Sequence, residues 1–300
     1  MCGARKVGVM GLVVHNPYSC DGLPWLKGNL HAHTSNSDGP GTPQAVIDAY
    51  AALKYDFLML SDHDCLTESE HLDGRGLALI PGNEVTAGGP HVLHVDARSF
   101  VPPDEDRQAV IDKIAQDGGL SIMCHPNWES HFNHCPQEKL MAWRGYAGIE
   151  VFNGVVTWLE GRATATDRWD RLLAEGRRIW GFANDDCHRE DDVGVGWNMV
   201  QAERGNVADI LHALRSGRFY ASNGVTIDRI EADGNMLTVR AKGAHRISVF
   251  SDYARRQAVV EGSGITYTVP EDADFHYVRF ECAGCGEKKA WTQPFFIERE

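Results

Sequence analysis

The sequence predicts an α/β domain followed by a small antiparallel β domain. Three observations carry this expectation. Between residues 28 and 200, short apolar runs alternate with helical patterns, as strand–helix units around a parallel sheet do. Several of those runs are near-continuously apolar, like strands covered on both faces. Beyond residue 220 the helical signal stops, and short alternating segments divided by turn residues take over, which is the pattern of a small sandwich.

The first candidate element is residues 7–14, which come after Arg5 and Lys6 and faintly resemble the apolar part of a signal peptide. No small-residue cleavage site succeeds them, so they read as an edge strand. Thr42-Pro43 is an N-cap and first-turn pair, with helical spacing over 45–53. Strands are expected at 57–60, 78–80, 92–95, 120–124, 148–152 and 178–182. Helices are expected at 104–115, at 166–174 and, with Asn206 as N-cap, at 207–214. The tail supplies strands at 226–230, 236–239, 246–250, 265–269, 275–282 and 291–297, with turns at Asp233-Gly234-Asn235 and Gly262-Ser263-Gly264. The chain therefore divides into an N-terminal extension (1–27), an α/β domain (28–222) and a β-sandwich (223–300).

Composition narrows the function. The 300 residues carry a net charge of −13, and the segment from Val225 onward accounts for only −2 of it. That balance disfavours a nucleic-acid polymer as partner, which would need a basic face. It leaves room for a small anionic substrate if bound cations reverse the local field. No apolar run approaches the roughly 18 residues of a membrane span. The eight cysteines are irregularly spaced, so no disulfide scaffold is expected and the cytoplasm is the expected compartment. Cys282-Ala283-Gly284-Cys285 is a lone CxxC and reads as a hairpin with two thiols. No phosphate-binding glycine loop and no G-x-S-x-G elbow is present. The oligomeric state is not legible.

Most of the fourteen histidines fall in the first two thirds of the chain, and several lie within two or three residues of another histidine or an aspartate, beside the ends of apolar strands. His31-Ala32-His33 places two imidazoles on one side of an extended segment. Asp38 lies in the turn Ser37-Asp38-Gly39. His63 closes Leu60-Ser61-Asp62-His63-Asp64, Glu84 comes after the strand at 78–80, His125 ends 120–124, and Asp186 and His188 come after the strand at 178–182. Strand C-termini are where α/β barrels gather their active-site groups. Chance would also scatter such residues over strand starts and helices, so a shared polynuclear metal site is expected. Cys124 and Cys187 are expected to point away from it. Asp64 and Asp185 are candidates for orienting ligands from behind. His131 or His134 is a candidate acid, and Arg189 a candidate phosphate contact. Asn127, Trp128 and Asn153 also stand beside strand ends.

His31-Ala32-His33, Ser61-Asp62-His63, Gly82-Asn83-Glu84, Cys124-His125-Pro126 and Asp186-Cys187-His188 resemble the successive motifs of the PHP (polymerase and histidinol phosphatase) metallohydrolases. The resemblance spans about 28–190, in the family's order. The stretch 214–222 and the tail ending Trp291-Thr292-Gln293-Pro294 resemble a subgroup related to carbaryl hydrolase. The resemblance implies a distorted seven-stranded β/α barrel with metals at the C-terminal strand ends. It implies one position held by His31, His33, Glu84 and Asp186. A second shares Glu84 with His125 and a histidine of 91–94, His94 being favoured over His91. A third is held by Asp38, His63 and His188.

Mixed nitrogen and oxygen donors suit two or three divalent ions of Mn, Zn or Fe. Two such ions about 3.5–4 Å apart can hold a bridging hydroxide nucleophile near Glu84. The expected activity is hydrolysis of a small phosphomonoester or phosphodiester. Carboxylic or carbamate ester hydrolysis on the same site is the alternative within enzymes, and a metal-bound, non-catalytic accessory module is the alternative outside them.

Overall fold

A computed structural model describes residues 11–18 and 22–299. Residues 7–10 of the expected first strand lie outside the described residues, as do Cys2 and Cys20. The rest of that strand is β1 (Leu12–His15), an edge strand as expected, paired antiparallel with the last strand of the chain.

The strands and helices that build the site begin with β2 (Trp25–Asn29), α1 (Pro43–Ala52), β3 (Phe57–Met59), β4 (Ala78–Ile80), β5 (Gly82–Val85), β6 (Val92–Val95), α2 (Arg107–Asp117) and β7 (Leu120–Met123). After them run α3 (Gln137–Ala142), β8 (Gly148–Asn153), α4 (Thr166–Ala174), β9 (Trp180–Asn184), β10 (Trp197–Gln201), α5 (Val207–Arg215) and β11 (Phe219–Ser222). Local chemistry sets several of the boundaries. The Thr42 side chain accepts from the Ala45 N–H ahead of Pro43, and Asn206 accepts from the Asp209 N–H, each satisfying an orphan donor of a first turn. Gly118 ends α2 in the left-handed region at φ 89°, where a side chain would be strained.

Strands β2, β3 and β4 are parallel neighbours, and so are β7, β8 and β9. The expected all-parallel order fails between these sets: β5 pairs antiparallel with β6, and β6 with β7. Only a short link joins β5 to β6, and a short link can only return the chain antiparallel. Glu84, expected in a loop, therefore lies inside β5. Single parallel bridges join the two sets of strands at His63–Glu84 and at Ala32–Cys187. Leu30, Phe57, Met59, Leu93, Ile122, Cys124 and Phe182 fill the space between them.

The tail comprises β12 (Thr226–Asp233), β13 (Met236–Lys242), β14 (Arg246–Ser251), β15 (Arg255–Glu261), β16 (Gly264–Thr268), β17 (Tyr277–Ala283), β18 (Lys289–Thr292) and β19 (Phe295–Arg299). The expected strand at 291–297 is interrupted at Pro294, whose missing N–H cannot continue a ladder. Strands β12, β13 and β16 form one sheet. It packs Ile227, Leu237 and Val239 against Ile247, Val249 and Phe280 of the other. That other sheet does not stop at residue 222. It runs β17–β18–β11–β10–β2–β3–β4 without a break, so tail and α/β strands share one ladder.

Candidate metal centre

Backbone ladders extend past the formal strand ends and bring the ligand segments side by side. Asp186 N–H donates to the His31 carbonyl, Ser61 N–H to that of Ala32, and Glu84 N–H to that of Ser61. The segments 186–188, 31–33, 61–63 and 84 thus lie in sequence around one end of the strands. His125 and Asp186 are held at positive φ, 25° and 56°, a strained state for non-glycine residues that tends to mark functional sites. Gly39 packs so closely on the His33 backbone that no Cβ would fit. That tight return folds Asp38 back toward the strand ends.

Glu84 is the centre. Its carboxylate lies 3.4 Å from His31 Nε2, 3.5 Å from His33 Nε2, 2.9 Å from His63 Nδ1, 3.0 Å from His91 Nδ1 and 3.3 Å from His125 Nε2. Asp186 Oδ1 is 3.1 Å from His31 Nε2 and 3.0 Å from His33 Nε2. Asp38 Oδ1 stands 3.4 Å from both His63 Nε2 and His188 Nε2. Ligand atoms of His31, His33, Glu84 and Asp186 lie within 4.8 Å of one another, and so do those of His33, Asp38, His63 and His188.

The donors fit cations. Buried His31 donates from Nδ1 to Glu150 Oε1 at 2.9 Å. Its Nε2 then faces carboxylate oxygens of Glu84 and Asp186, yet makes no hydrogen bond. Glu84 Oε2 is likewise buried and without a hydrogen bond. In a neutral imidazole that Nε2 carries a lone pair, which repels the oxygens unless a positive charge sits between them. Burial opposes charge on His31, but Asp186, Glu84 and Glu150 outweigh it and hold His31 well above its ordinary value. Burial opposes charge on Glu84 too, and His31 and His91 outweigh it, holding Glu84 well below the carboxylate range. Asp186 is depressed in the same way, against burial, by His31 and His33. A bound cation would supply the positive charge that these carboxylates call for, in place of protons on the imidazoles.

The expectation for His94 needs correction. In the antiparallel β5–β6 register Glu84 faces Leu93, and Asn83 faces His94. Directly opposed residues share a face, so His91, two residues from Leu93, stands on the Glu84 side. His94 stands on the other side, buried, with Nε2 3.4 Å from Asp117 Oδ2. Cys124 is a second correction. Ile122 faces Leu93, and Cys124, two residues on and opposite His91, shares that face, so alternation itself turns the Cys124 sulfur inward, within 4.8 Å of the His31, Glu84 and His125 ligand atoms. Cys187 instead packs among Ala32, Val46 and Tyr50.

Of the remaining candidates, His134 stands with His91 and His125, their ring nitrogens within 4.8 Å of one another, and Asn153 reaches Asp186, while Asp64, Asp185, His131 and Asn127 have their partners elsewhere. Asp64 accepts from the Thr86 N–H and hydroxyl and the Ala87 N–H, so it shapes a turn and does not reach a ligand. Asp185 accepts from Asn29, Tyr50 and the amides of 194–196, and burial pushes its carboxyl up to about 6. His131 is exposed and pairs with Ser130 beside it. Asn127 bonds Thr164 and Asp167. Asn153 donates to Glu150 and Asp186. Burial and then the neighbouring His125 and His91 press His134 down to about 2, which keeps it neutral.

Sequence reasoning misses Glu150. Wholly buried in β8, it takes hydrogen bonds from His31, the His125 N–H, Asn153 and Asn184. The sequence does hold a signal: a charged residue inside the apolar run Gly148-Ile149-Glu150-Val151-Phe152 must find partners.

The cluster opens into a pocket of about 440 Å³. Asp38, His63, Glu84, His91, His125, Asp186 and His188 line one side of it, and Trp128, Val155, Val156 and Leu159 are among its apolar lining residues. Arg189 is the one Lys or Arg among the lining residues; its guanidinium lies over the Trp158 ring and donates to Asp192. None of the described tail residues lines it.

The chain is similar to several known proteins. Residues 171–219 match a family model described as PHP-associated. The chain is 34% identical over 264 residues to a 3′,5′-nucleoside bisphosphate phosphatase of Chromobacterium violaceum, covering 81% of this chain and 87% of that protein. A two-domain protein of Bacteroides vulgatus, described as containing a predicted PHP-like metal-dependent phosphoesterase, superposes with a TM-score of 0.54. It is 16% identical and covers 97% of this chain and 100% of its own, a likeness of fold. The carbaryl-hydrolase likeness of the tail rests on the sequence alone.

Proposed function

The chain belongs to the PHP family of metal-dependent phosphoesterases, and from that premise we propose that it is a hydrolase of small phosphomonoesters, with a nucleoside bisphosphate as the leading substrate class. The observation that carries this reading is Glu84, ringed by five imidazoles at the floor of a pocket. His31, His33, Glu84 and Asp186 would hold one divalent ion; Glu84, His91 and His125 a second; and Asp38, His63 and His188, with His33 beside them, a third. Bound ions of the Mn, Zn or Fe kind would lower the pKa of a water and balance charge on phosphate oxygens.

The chain's own groups do the rest. Glu150 fixes the His31 tautomer by accepting its Nδ1 proton. Asn153 holds Asp186 by donating to Oδ2 at 3.1 Å. Arg189 is suited to a second anionic group of the substrate, and Trp128, Val155, Val156 and Leu159 to the carbon face of a leaving nucleoside. Taking β4 and β5 as one bent strand across Pro81 gives a seven-stranded ring, β2, β3, β4–β5, β6, β7, β8 and β9, which the bridges His63–Glu84 and Ala32–Cys187 support. We keep 222/223 as the working boundary between catalytic and tail domains. Free thiols at Cys282 and Cys285, on one hairpin, fit a reducing cytoplasm. No helix among the described residues is long and apolar enough to cross a membrane.

The test is a substrate panel on metal-loaded protein: nucleoside bisphosphates, monophosphates, a nitrophenyl phosphodiester and a nitrophenyl carboxylic ester. Phosphate release that disappears in Glu84→Gln, with folding intact, is expected. Cleavage of the carboxylic ester alone would replace this reading with an ester hydrolase.

A further inference from the structure

His134 lies outside the ligand sets implied for this fold, yet its ring touches one of them. Strand β6 pairs with β7 as far as Val92–Met123, and one more ladder bond continues it, from the Cys124 N–H to the His91 carbonyl at 3.1 Å. The reciprocal bond from the His91 N–H would need a carbonyl on β7. The chain has already turned away there, at His125 with φ 25° and Pro126. The ring of His134 fills the gap: the His91 N–H donates to His134 Nε2 at 3.0 Å. At the other edge of the ring, His134 Nδ1 donates to Glu129 Oε1 at 3.0 Å. The imidazole is wedged against Trp128, His91 and His125, with centroids 4.9, 4.6 and 4.8 Å away.

We propose that Glu129 and His134 form a positioning pair, in which the carboxylate fixes the ring tautomer and the ring anchors the His91 backbone so that the His91 side chain is presented to Glu84. The proposal rests on the reading of His91 as a metal ligand. Without the anchor, the residue just before β6 has one backbone bond in place of two. Its imidazole, now 3.0 Å from Glu84 Oε1, is then free to swing toward the pocket. Losing such an outer partner of a metal-site histidine costs roughly 10–100-fold in metal affinity.

The experiment is calorimetric titration of metal-free full-length protein with Mn²⁺ or Zn²⁺, for wild type, His91→Ala, His134→Ala and His134→Gln, with melting curves as a check on folding. Gln keeps a carbonyl oxygen that can accept the His91 N–H. The expected result is that His134→Ala weakens the same ion that His91→Ala weakens, by roughly 10–100-fold, while His134→Gln recovers most of the loss. Wild-type affinity in His134→Ala would overturn the proposal. So would His134→Gln falling as far as His134→Ala, which would make His134 a direct ligand or simple packing. Wild-type protein that binds no divalent ion would overturn both this proposal and the metal-centre reading, whereas binding insensitive to His134 overturns this one alone.

Discussion

His91 reaches Glu84 from the adjacent strand, Nδ1 to Oε1 at 3.0 Å, because both project from the same face of the β5–β6 ladder. His94, three residues on, projects from the opposite face. His91→Ala is therefore expected to lose one equivalent of metal, and His94→Leu to retain the wild-type content. Both ring nitrogens of His94 are buried without hydrogen bonds, so removing them costs little. The stability change in His94→Leu should stay within about 1.5 kcal/mol. Elemental analysis and melting curves check both.

Glu150 accepts the His31 proton and the His125 N–H, one from each of two ligand segments. Glu150→Gln keeps the volume but can no longer accept at both oxygens. Metal affinity should fall roughly 10–100-fold, with the far-ultraviolet spectrum unchanged. Affinity equal to wild type would show that the ligands orient themselves.

Metal uptake should release protons. His31 is held well above 6.5 in the metal-free site, because Asp186, Glu84 and Glu150 outweigh its burial. Below that raised value the ring is protonated, and an ion must displace the proton to bind. Affinity is therefore expected to rise with pH until the ring is neutral without metal. Calorimetry in buffers of different ionisation heat reads the number released; heats independent of buffer would refute it.

Arg279 in β17 pairs with Asp170 in α4 at 2.6 Å, both wholly buried, and Tyr277 donates to the same carboxylate. Removing one partner strands a buried charge. Asp170→Ala should cost about 3–5 kcal/mol, and a double change to apolar residues of similar volume less than that. Urea melts of the single and double variants decide it.

Glu281 gives an acid-limb prediction. Burial opposes its charge, but Arg279 and Lys289 outweigh burial and hold it below 4.5. Its folded value lies under the unfolded one, so its contribution is complete above about 4.5 and is lost as pH falls through the lowered value. Glu281→Gln should flatten stability against pH below 4.5 and leave the slope near neutrality unchanged.

Much of the site is legible in the sequence because its ligands succeed apolar runs, and such runs are the clearest strand signal. The helices at 45–53 and 207–214 read well because a capping side chain, Thr42 or Asn206, stands ahead of the helical spacing, whereas 166–174 has no side-chain cap and reads on its spacing alone. Register is not legible. Whether His91 or His94 meets Glu84 depends on which residue of β6 faces β5, and spacing in sequence does not carry that. Cys124 is misplaced for the same reason, since its face follows from the pairing of Ile122 with Leu93, and it is His125 that leaves the regular backbone to reach the same side. The strand at 255–261 escapes sequence reading because its repeated charges and exposed Val259 and Val260 mark an edge more than a core.

Gln293 presents its amide to both the N–H and the carbonyl of Gly181, at 2.9 and 2.7 Å, just ahead of the segment that carries Asp186 and His188. A tail side chain thus acts as one more peptide group alongside β9. Together with the shared ladder from β17 to β2, this means that the tail is no detachable cassette. Cutting the gene after Tyr220 would unzip the wall on which the catalytic strands are hung, and melting should proceed as one cooperative transition.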